Sequence, residues 1–318
     1  MIDYSVEKEY EGMLDAYEKA GGDGSALLVK DVAKLVVHEN KVLSADETQG
    51  VRLTYEPKEN GIIAELLVEE GIKVKHPIHL CFGVLPREGL QDIRLQMDVK
   101  SGAEANVIAH CVFPNATHVI HRMDAVINIE DNARYSYKET HYHGESGGIE
   151  VIPKARVTLG EKALYENTFT LTQGCVGTLD FDYEIFSGAG SVAELVAKIY
   201  GKNDDTIKIA EKVYLNGDDA RSLIKTRIVL RDKAIAEVIG ETYGNAPYAR
   251  GHVDCIELVN GTEAIAKAIP IVSVTNEKAK VTHEAAIGSI DRRQVETLMA
   301  RGLDENEAVD VIVKGILR

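Results

Sequence analysis

The sequence predicts a mainly β chain, wound as a parallel β-helix of two facing sheets, with a short α/β segment before it and a pair of helices after it. Three observations carry this prediction. A motif recurs near every 28 residues, apolar and polar residues alternate after each copy, and a closing stretch switches to helical spacing.

The repeat is an apolar residue, a polar turn rich in Gly, Asn or Asp, an alanine, and then an alternating strand. Its copies include VKSGAEANVIAH, IEDNARYSYKE, LGEKALYENTF, LNGDDARSLIK and TNEKAKVTHEA. The marker alanines are Ala105, Ala133, Ala163, Ala193, Ala220, Ala236, Ala264 and Ala279, at intervals of 28, 30, 30, 27, 16, 28 and 15 residues. Two short strands, each followed by a turn, fill one coil of that length. Gly and Asn supply the positive φ of tight corners, and the small alanine fits just inside them. An antiparallel sandwich also shows short strands at regular intervals, but its turns come about every 8–12 residues. The turns here come nearer 15 residues apart.

Taken in order, residues 1–20 read as an amphipathic helix, with Ile2, Val6, Tyr10, Met13 or Leu14, and Tyr17 at helical spacing and Gly21-Gly22 ending the run. Strand-like segments then mix with turns, so residues 1–73 form an α/β lead-in. Residues 74–284 form the β-helix core, and residues 285–318 form a helical region. Asp291 with Gln294, and Asp304 with Glu307, read as capping boxes, while Gly302 ends the first helix and Leu303 begins the link. The first helix carries Val295, Leu298 and Met299 on one face; the second carries Ala308, Val309, Ile312, Val313 and Ile316. Helices of about ten residues are marginal alone, so both must dock on the β-helix end or on a partner.

Composition narrows the class. At 318 residues and 45% hydrophobic, the chain is long enough for a large core. A formal net charge of −15 argues against binding to nucleic acid or anionic membrane. The acidic start lacks an apolar signal region and no run reaches membrane-span length, so a cytoplasmic protein is expected. Cys81, Cys111, Cys175 and Cys255 are scattered with no C-x-x-C, which points to reduced thiols and away from a disulfide or zinc framework. No phosphate-binding G-x-x-x-x-G-K-[ST], dinucleotide fingerprint or G-x-S-x-G is present, so the chain is expected to bind no nucleotide.

Two regions could carry chemistry. In HVDCIEL, alternation puts Val253, Cys255 and Glu257 on one face; taken alone, Cys255 reads as a buried structural thiol. His283 and Glu284 follow in KVTHEAAIG, where neighbours in a strand point to opposite faces. Taken alone they read as an edge histidine and a helix-start carboxylate. Thiolate, imidazole and carboxylate in one small region make an iron or thiol site reasonable. The second region holds His110, Cys111, His118, His121, His141 and His143. A cupin metal motif would need a Glu at position 147 or 148, where Gly147 and Gly148 stand. These histidines read first as satisfied surface or turn residues, with metal binding by several gathered on one face of adjacent coils as the alternative. Cys81, Cys111 and Cys175 read as ordinary small core residues.

The strings GHVDC, IPIVSVTNEKAKVTHEAAIGSID and LMARGLDENEAVDVIVKGIL resemble the SufB/SufD family, the scaffold proteins of iron–sulfur cluster assembly. The resemblance covers the chain from about residue 95 and is most specific from Gly251 onward. It implies a right-handed parallel β-helix flanked by helical regions. Two such chains pair through their last coils, with a transient iron–sulfur cluster forming at the junction. The resemblance implies further that the C-terminal helices dock an ABC-type ATPase, the SufC partner. That would place Val295, Leu298, Met299, Leu303, Val309, Ile312, Val313 and Ile316 at the docking surface. The resemblance implies a functional cysteine at Cys255 and glutamate at Glu284, as in SufB-type chains, and a functional histidine at His283, as in SufD-type chains; this sequence holds all three. The chain therefore looks like a minimal SufB-like scaffold rather than an enzyme, pairing with itself as a homodimer or with a SufB/SufD-like paralogue. The lead-in lacks the cysteine-rich N-terminal motif of many SufB chains, which leaves the sulfur-entry route open. The competing reading is a structural or regulatory subunit that docks the ATPase without holding a cluster. A polysaccharide-acting β-helix would need aromatic platforms, and aromatics make up only 6% of this chain.

Overall fold

The computed structural model of the chain describes residues 4–29 and 31–317; Ile2 and the side chain of Val6, named above for the first helix, fall outside it. Helix α1 (Tyr4–Lys19) ends at Gly21, whose φ of 91° only glycine adopts freely, and the short α2 (Gly24–Leu28) follows. The lead-in continues with β1 (Lys34–His38), β2 (Lys41–Asp46), β3 (Val51–Lys58) and β4 (Gly61–Val68). Next come β5 (Ile78–Gly83), β6 (Glu88–Val99), β7 (Glu104–Phe113), β8 (His118–Ile129), β9 (Arg134–His143), β10 (Ile149–Leu159), β11 (Leu164–Gln173) and β12 (Thr178–Ser187). The series closes with β13 (Val192–Gly201), β14 (Thr206–Leu215), β15 (Arg221–Arg231), β16 (Ile235–Gly244), β17 (Arg250–Asn260), β18 (Ile265–Val274) and β19 (Lys280–Ser289), then α3 (Arg292–Met299) and α4 (Glu305–Ile316).

From β5 on, odd-numbered strands stack parallel in one sheet and even-numbered strands in the other, as a parallel solenoid requires. The first sheet runs β19-β17-β15-β13-β11-β9-β7-β5-β1-β2 and the second β18-β16-β14-β12-β10-β8-β6-β4-β3. Both sheets continue across residue 74: β1 pairs parallel with β5 and β4 with β6, while β2 and β3 add antiparallel hairpin arms. At the other end, residues 285–289 complete β19 instead of starting a helix.

Glu104, Arg134, Leu164, Val192, Arg221, Arg250 and Lys280 stand in register, so the coil length is 28 to 30 residues. The corner residues just before them are Ala103, Ala133, Ala163, Ser191, Ala220, Ala249 and Ala279. Three markers from the sequence are displaced: Ala105, Ala193 and Ala236 sit two residues inside the corner, within strands. All three are buried, because a step of two returns to the same inward face, and the period survives the slip. One position further back lies a column of left-handed residues, Gly102, Asn132, Lys162, Gly190, Asp219 and Tyr248, with φ between 55° and 67°.

The helices lie on the outer face of the first sheet. Met13, Ala16 and Tyr17 of α1 pack on Val36, Cys81 and Val112. Further along, Val295 of α3 and Ala308, Val309 and Val313 of α4 pack on Tyr200 and Val229, with Leu258 alongside. This corrects the partner-facing assignment of three residues: Val295, Val309 and Val313 are buried within the chain, where each contributes about 1.5–3 kcal/mol to holding the helices in place. Leu298, Leu303, Ile312 and Ile316 are half-buried against the same cluster, and Met299 is exposed. Asp304 and Glu307 form the reciprocal capping box, whereas Asp291 caps through the Arg293 N–H.

Candidate functional site

Side chains at paired positions of a parallel ladder stack on one face, so columns run along the solenoid axis. In the first sheet one inward column reads Ala109, Glu139, Phe169, Ala197, Thr226, Cys255, Ala285. Its neighbour reads Cys111, His141, Leu171, Ile199, Ile228, Glu257, Ile287. Polar residues in these columns fall into two islands, Cys111–Glu139–His141 and Thr226–Cys255–Glu257, separated by an apolar stretch. From β7 to β17 is five strand steps, so the islands' cysteines stand about 24 Å apart along the axis.

The second island surrounds Cys255. Val253, Cys255 and Glu257 alternate inward as the sequence predicts, and the Cys255 thiol is buried, 3.7 Å from Thr226 Oγ1. Burial pushes that thiol up to about 12, with the Glu257 and Glu211 carboxyls adding to the shift. Glu257 is fully buried without a hydrogen bond to another residue, and desolvation lifts it to about 7. Glu211, on β14, is also buried with both oxygens unpartnered, and burial lifts it to about 8. Gly240 stacks directly on Glu211; a Cβ there would stand 2.8 Å from Val253 Cγ1 and 3.9 Å from Cys255 Sγ. Only glycine leaves this space open beside the thiol.

His283 and Glu284 lie on β19, the outermost strand, and both are exposed. The ladder stacks His283 on Val253, the side that Cys255 shares, and Glu284 on Asp254 of the outward face, which is ion-paired with Arg227. The two residues thus serve different faces, as alternation requires. Their strand leaves Cys255 covered along its column by Ala285 alone. Ile265, Ile271, Val272, Val274 and Ile287 of β18 and β19 are exposed large apolar residues, all on this last coil.

The first island corrects two expectations. His110, His121, His141 and His143 are buried instead of lying at the surface, and only His118 of that group is exposed. Cys111 is no plain packing residue: its thiol faces Glu139 Oε1 at 3.5 Å. Cys81 is packed beneath α1, and Cys175 sits in a turn where its thiol donates to the Glu145 carbonyl at 3.1 Å. Glu139, Glu211 and Thr226 were not singled out from the sequence. The available signal was spacing: Cys111 and His141 lie 30 residues apart, one coil, and Glu139 is two from His141.

The fold and its uncovered last coil define the class, a parallel β-solenoid whose final turn leaves its edge and apolar residues bare. The family profile described as SUF system FeS cluster assembly, SufBD core domain, matches residues 87–316. An iron-sulfur cluster assembly SufBD family protein of Methanocaldococcus jannaschii is 36% identical over 313 residues, spanning 98% of this chain and 99% of that protein. One of Pyrococcus horikoshii is 35% identical over 310 residues, 98% of this chain and 94% of its own length. One of Archaeoglobus fulgidus is 26% identical over 280 residues, covering 87% and 73% respectively. The chain belongs to the SufBD family of iron–sulfur cluster assembly proteins. No helix among its described residues is long and apolar enough to cross a membrane.

Proposed function

We propose that this chain is a scaffold on which a transient iron–sulfur cluster is built as cargo at its open end. Cys255 is the ligand or sulfur acceptor, with His283 and Glu284 contributing across a junction of two last coils. The observation that carries this reading is the position of Cys255, one strand inside a bare edge and shielded along its column by Ala285 alone. A thiolate binds iron and accepts sulfur, whereas the buried Cys255 thiol is held neutral. The reading therefore requires the last coil to shift when the edge is paired. Pairing with a second copy, or with a paralogue, covers the unpaired strand groups and the apolar residues of β18 and β19 together. It also brings two sets of scarce ligands together.

The chain carries no phosphate loop, so ATP hydrolysis falls to a SufC-like ABC ATPase docked at the C-terminal helices. The surface open to it is Met299 and Val311 with the half-buried Leu298, Leu303, Ile312 and Ile316. A reducing, cytoplasmic setting suits its four free thiols.

Anaerobic reconstitution with iron and sulfide, read by visible absorption and Mössbauer spectra, tests the scaffold role: a bound cluster dependent on Cys255 is expected. A second reading, a subunit that docks the ATPase and holds no cluster, draws on the burial of the Cys255 thiol. Absence of any cluster in the paired state favours it.

A further inference from the structure

The histidine-rich stretch folds into a closed donor cluster. Cys111 Sγ, a Glu139 oxygen and a His141 nitrogen all lie within 4.8 Å of one another, and none of the three residues is more than 2% exposed. Glu139 and His141 share the inward face of β9, and Cys111 is the neighbour of His141 in the preceding coil.

The partners of the ring nitrogens favour one tautomer for each histidine. His143 Nδ1 lies 3.1 Å from the Cys175 carbonyl, which only accepts, so this nitrogen carries the hydrogen. In the tautomer that this bond favours, Nε2 is the acceptor of the His143 ring. His141 Nδ1 stands 3.2 Å from that nitrogen and donates to it. With its hydrogen on Nδ1, the His141 ring offers a lone pair on Nε2, 2.7 Å from Glu139 Oε1, which is itself an acceptor. Two lone pairs at that distance need a cation shared between them. Cys111 Sγ adds a third donor at 3.5 Å from the same oxygen. Glu139 Oε2 and both ring nitrogens of His121 are buried without any hydrogen-bond partner, and the His121 ring centroid is 6.1 Å from that of His141.

The geometry points to a binding site for one divalent transition-metal ion, Zn²⁺ or Fe²⁺, held by Cys111 Sγ, the Glu139 carboxylate and His141 Nε2, with His121 as the fourth ligand. One thiolate, two imidazoles and a carboxylate form a tetrahedral set of borderline softness, which suits these ions. The chain from His141 through His143 to the Cys175 carbonyl is the outer support that orients a metal-bound imidazole. On binding, the metal replaces the proton shared by Glu139 and His141 and the proton of the Cys111 thiol, and both pass to solvent. The site is separate from Cys255, about 24 Å away along the axis.

The site is enclosed, so the metal must be present while the coil closes. Full-length Cys255→Ser protein produced in Co²⁺-supplemented medium removes the other inward thiol of these columns. One Co²⁺ per chain is expected, with tetrahedral ligand-field bands and thiolate-to-cobalt charge transfer. Adding Cys111→Ser abolishes the charge transfer, and His141→Ala lowers bound cobalt about tenfold or more. Absence of the charge-transfer band in the Cys255→Ser protein overturns the site, as does a band that survives Cys111→Ser. If Cys111→Ser does not fold, X-ray absorption on Zn²⁺-loaded Cys255→Ser protein decides alone. One sulfur at about 2.3 Å with nitrogen and oxygen ligands upholds the site; no sulfur, or two, overturns it. Iron–sulfur reconstitution depends on Cys255 and stands or falls separately.

Discussion

The two polar islands occupy the same pair of inward columns, yet they are built oppositely. At Cys111 the thiol, the Glu139 carboxylate and the His141 ring converge on one another, and full coils close them on both sides. At Cys255 two carboxyls, Glu211 and Glu257, are buried without partners, and the next strand along the column is the last one. Unpartnered buried carboxyls are expensive, typically by about 1–3 kcal/mol each. The opening of the paired edge proposed above would give them partners. The contrast teaches that position along a solenoid decides what one column chemistry can do: enclosed in mid-coil it can grip an ion, and one strand from a bare edge it can be opened.

The sharpest way to break this contrast is to exchange the serines. Cys255→Ser is expected to lose nearly all retained cluster on anaerobic reconstitution, while Cys111→Ser keeps the wild-type amount, measured as acid-labile sulfide per chain. Equal retention by both variants would erase the distinction between the islands.

A second test removes residues 291–318. The β-helix is expected to stay folded, because its ladders do not involve them. Losing the burial of Val295, Val309 and Val313 costs several kcal/mol, at about 1.5–3 kcal/mol each. Pull-down with the cognate ATPase is expected to fail, and undiminished capture would place the docking surface elsewhere.

At the open end the register divides two neighbours. His283→Ala, on the Cys255 side, is expected to reduce bound iron several-fold. Glu284→Ala, stacked on Asp254 outside, is expected to weaken self-association with less effect on iron. Light scattering and iron content on the two variants separate these effects, and matching behaviour by both would refute the assignment of faces.

The smallest effect is on pH dependence. Folding raises Glu211 from 4.5 to about 8 and Glu257 from 4.5 to about 7. Between those values the folded chain holds protons that the unfolded chain has lost, so stability falls as pH rises from 4.5 towards 8. Glu211→Gln keeps the shape without the charge. It should flatten that fall and raise Tm at alkaline pH by on the order of a few degrees. An unchanged slope would mean that Glu211 finds a partner in solution.

Much of the fold was legible because a coil is a period, and a period survives small errors. Ala105, Ala193 and Ala236 were the wrong markers by two residues, yet the spacing still pointed to the solenoid. The alternation around Cys255 was equally legible, since burial in a strand follows parity. What stayed hidden depends on register between coils, where one residue of slip exchanges inside for outside. Glu139 joins Cys111 only when β7 and β9 are aligned, and Glu211 reaches the Cys255 region only across the interior from the second sheet. The C-terminal helices show a different limit. Their apolar faces were plain, but periodicity does not say whether a face is covered by its own chain or by another.

The column of left-handed corners, Gly102, Asn132, Lys162, Gly190, Asp219 and Tyr248, has one further consequence. Because the same bend recurs once per coil whatever residue occupies it, a whole turn added or deleted between β11 and β15 meets matching corners on both sides. Every inward column would keep its phase. The separation of the two islands is therefore quantised: it changes only in whole increments of about 4.8 Å, one strand spacing at a time.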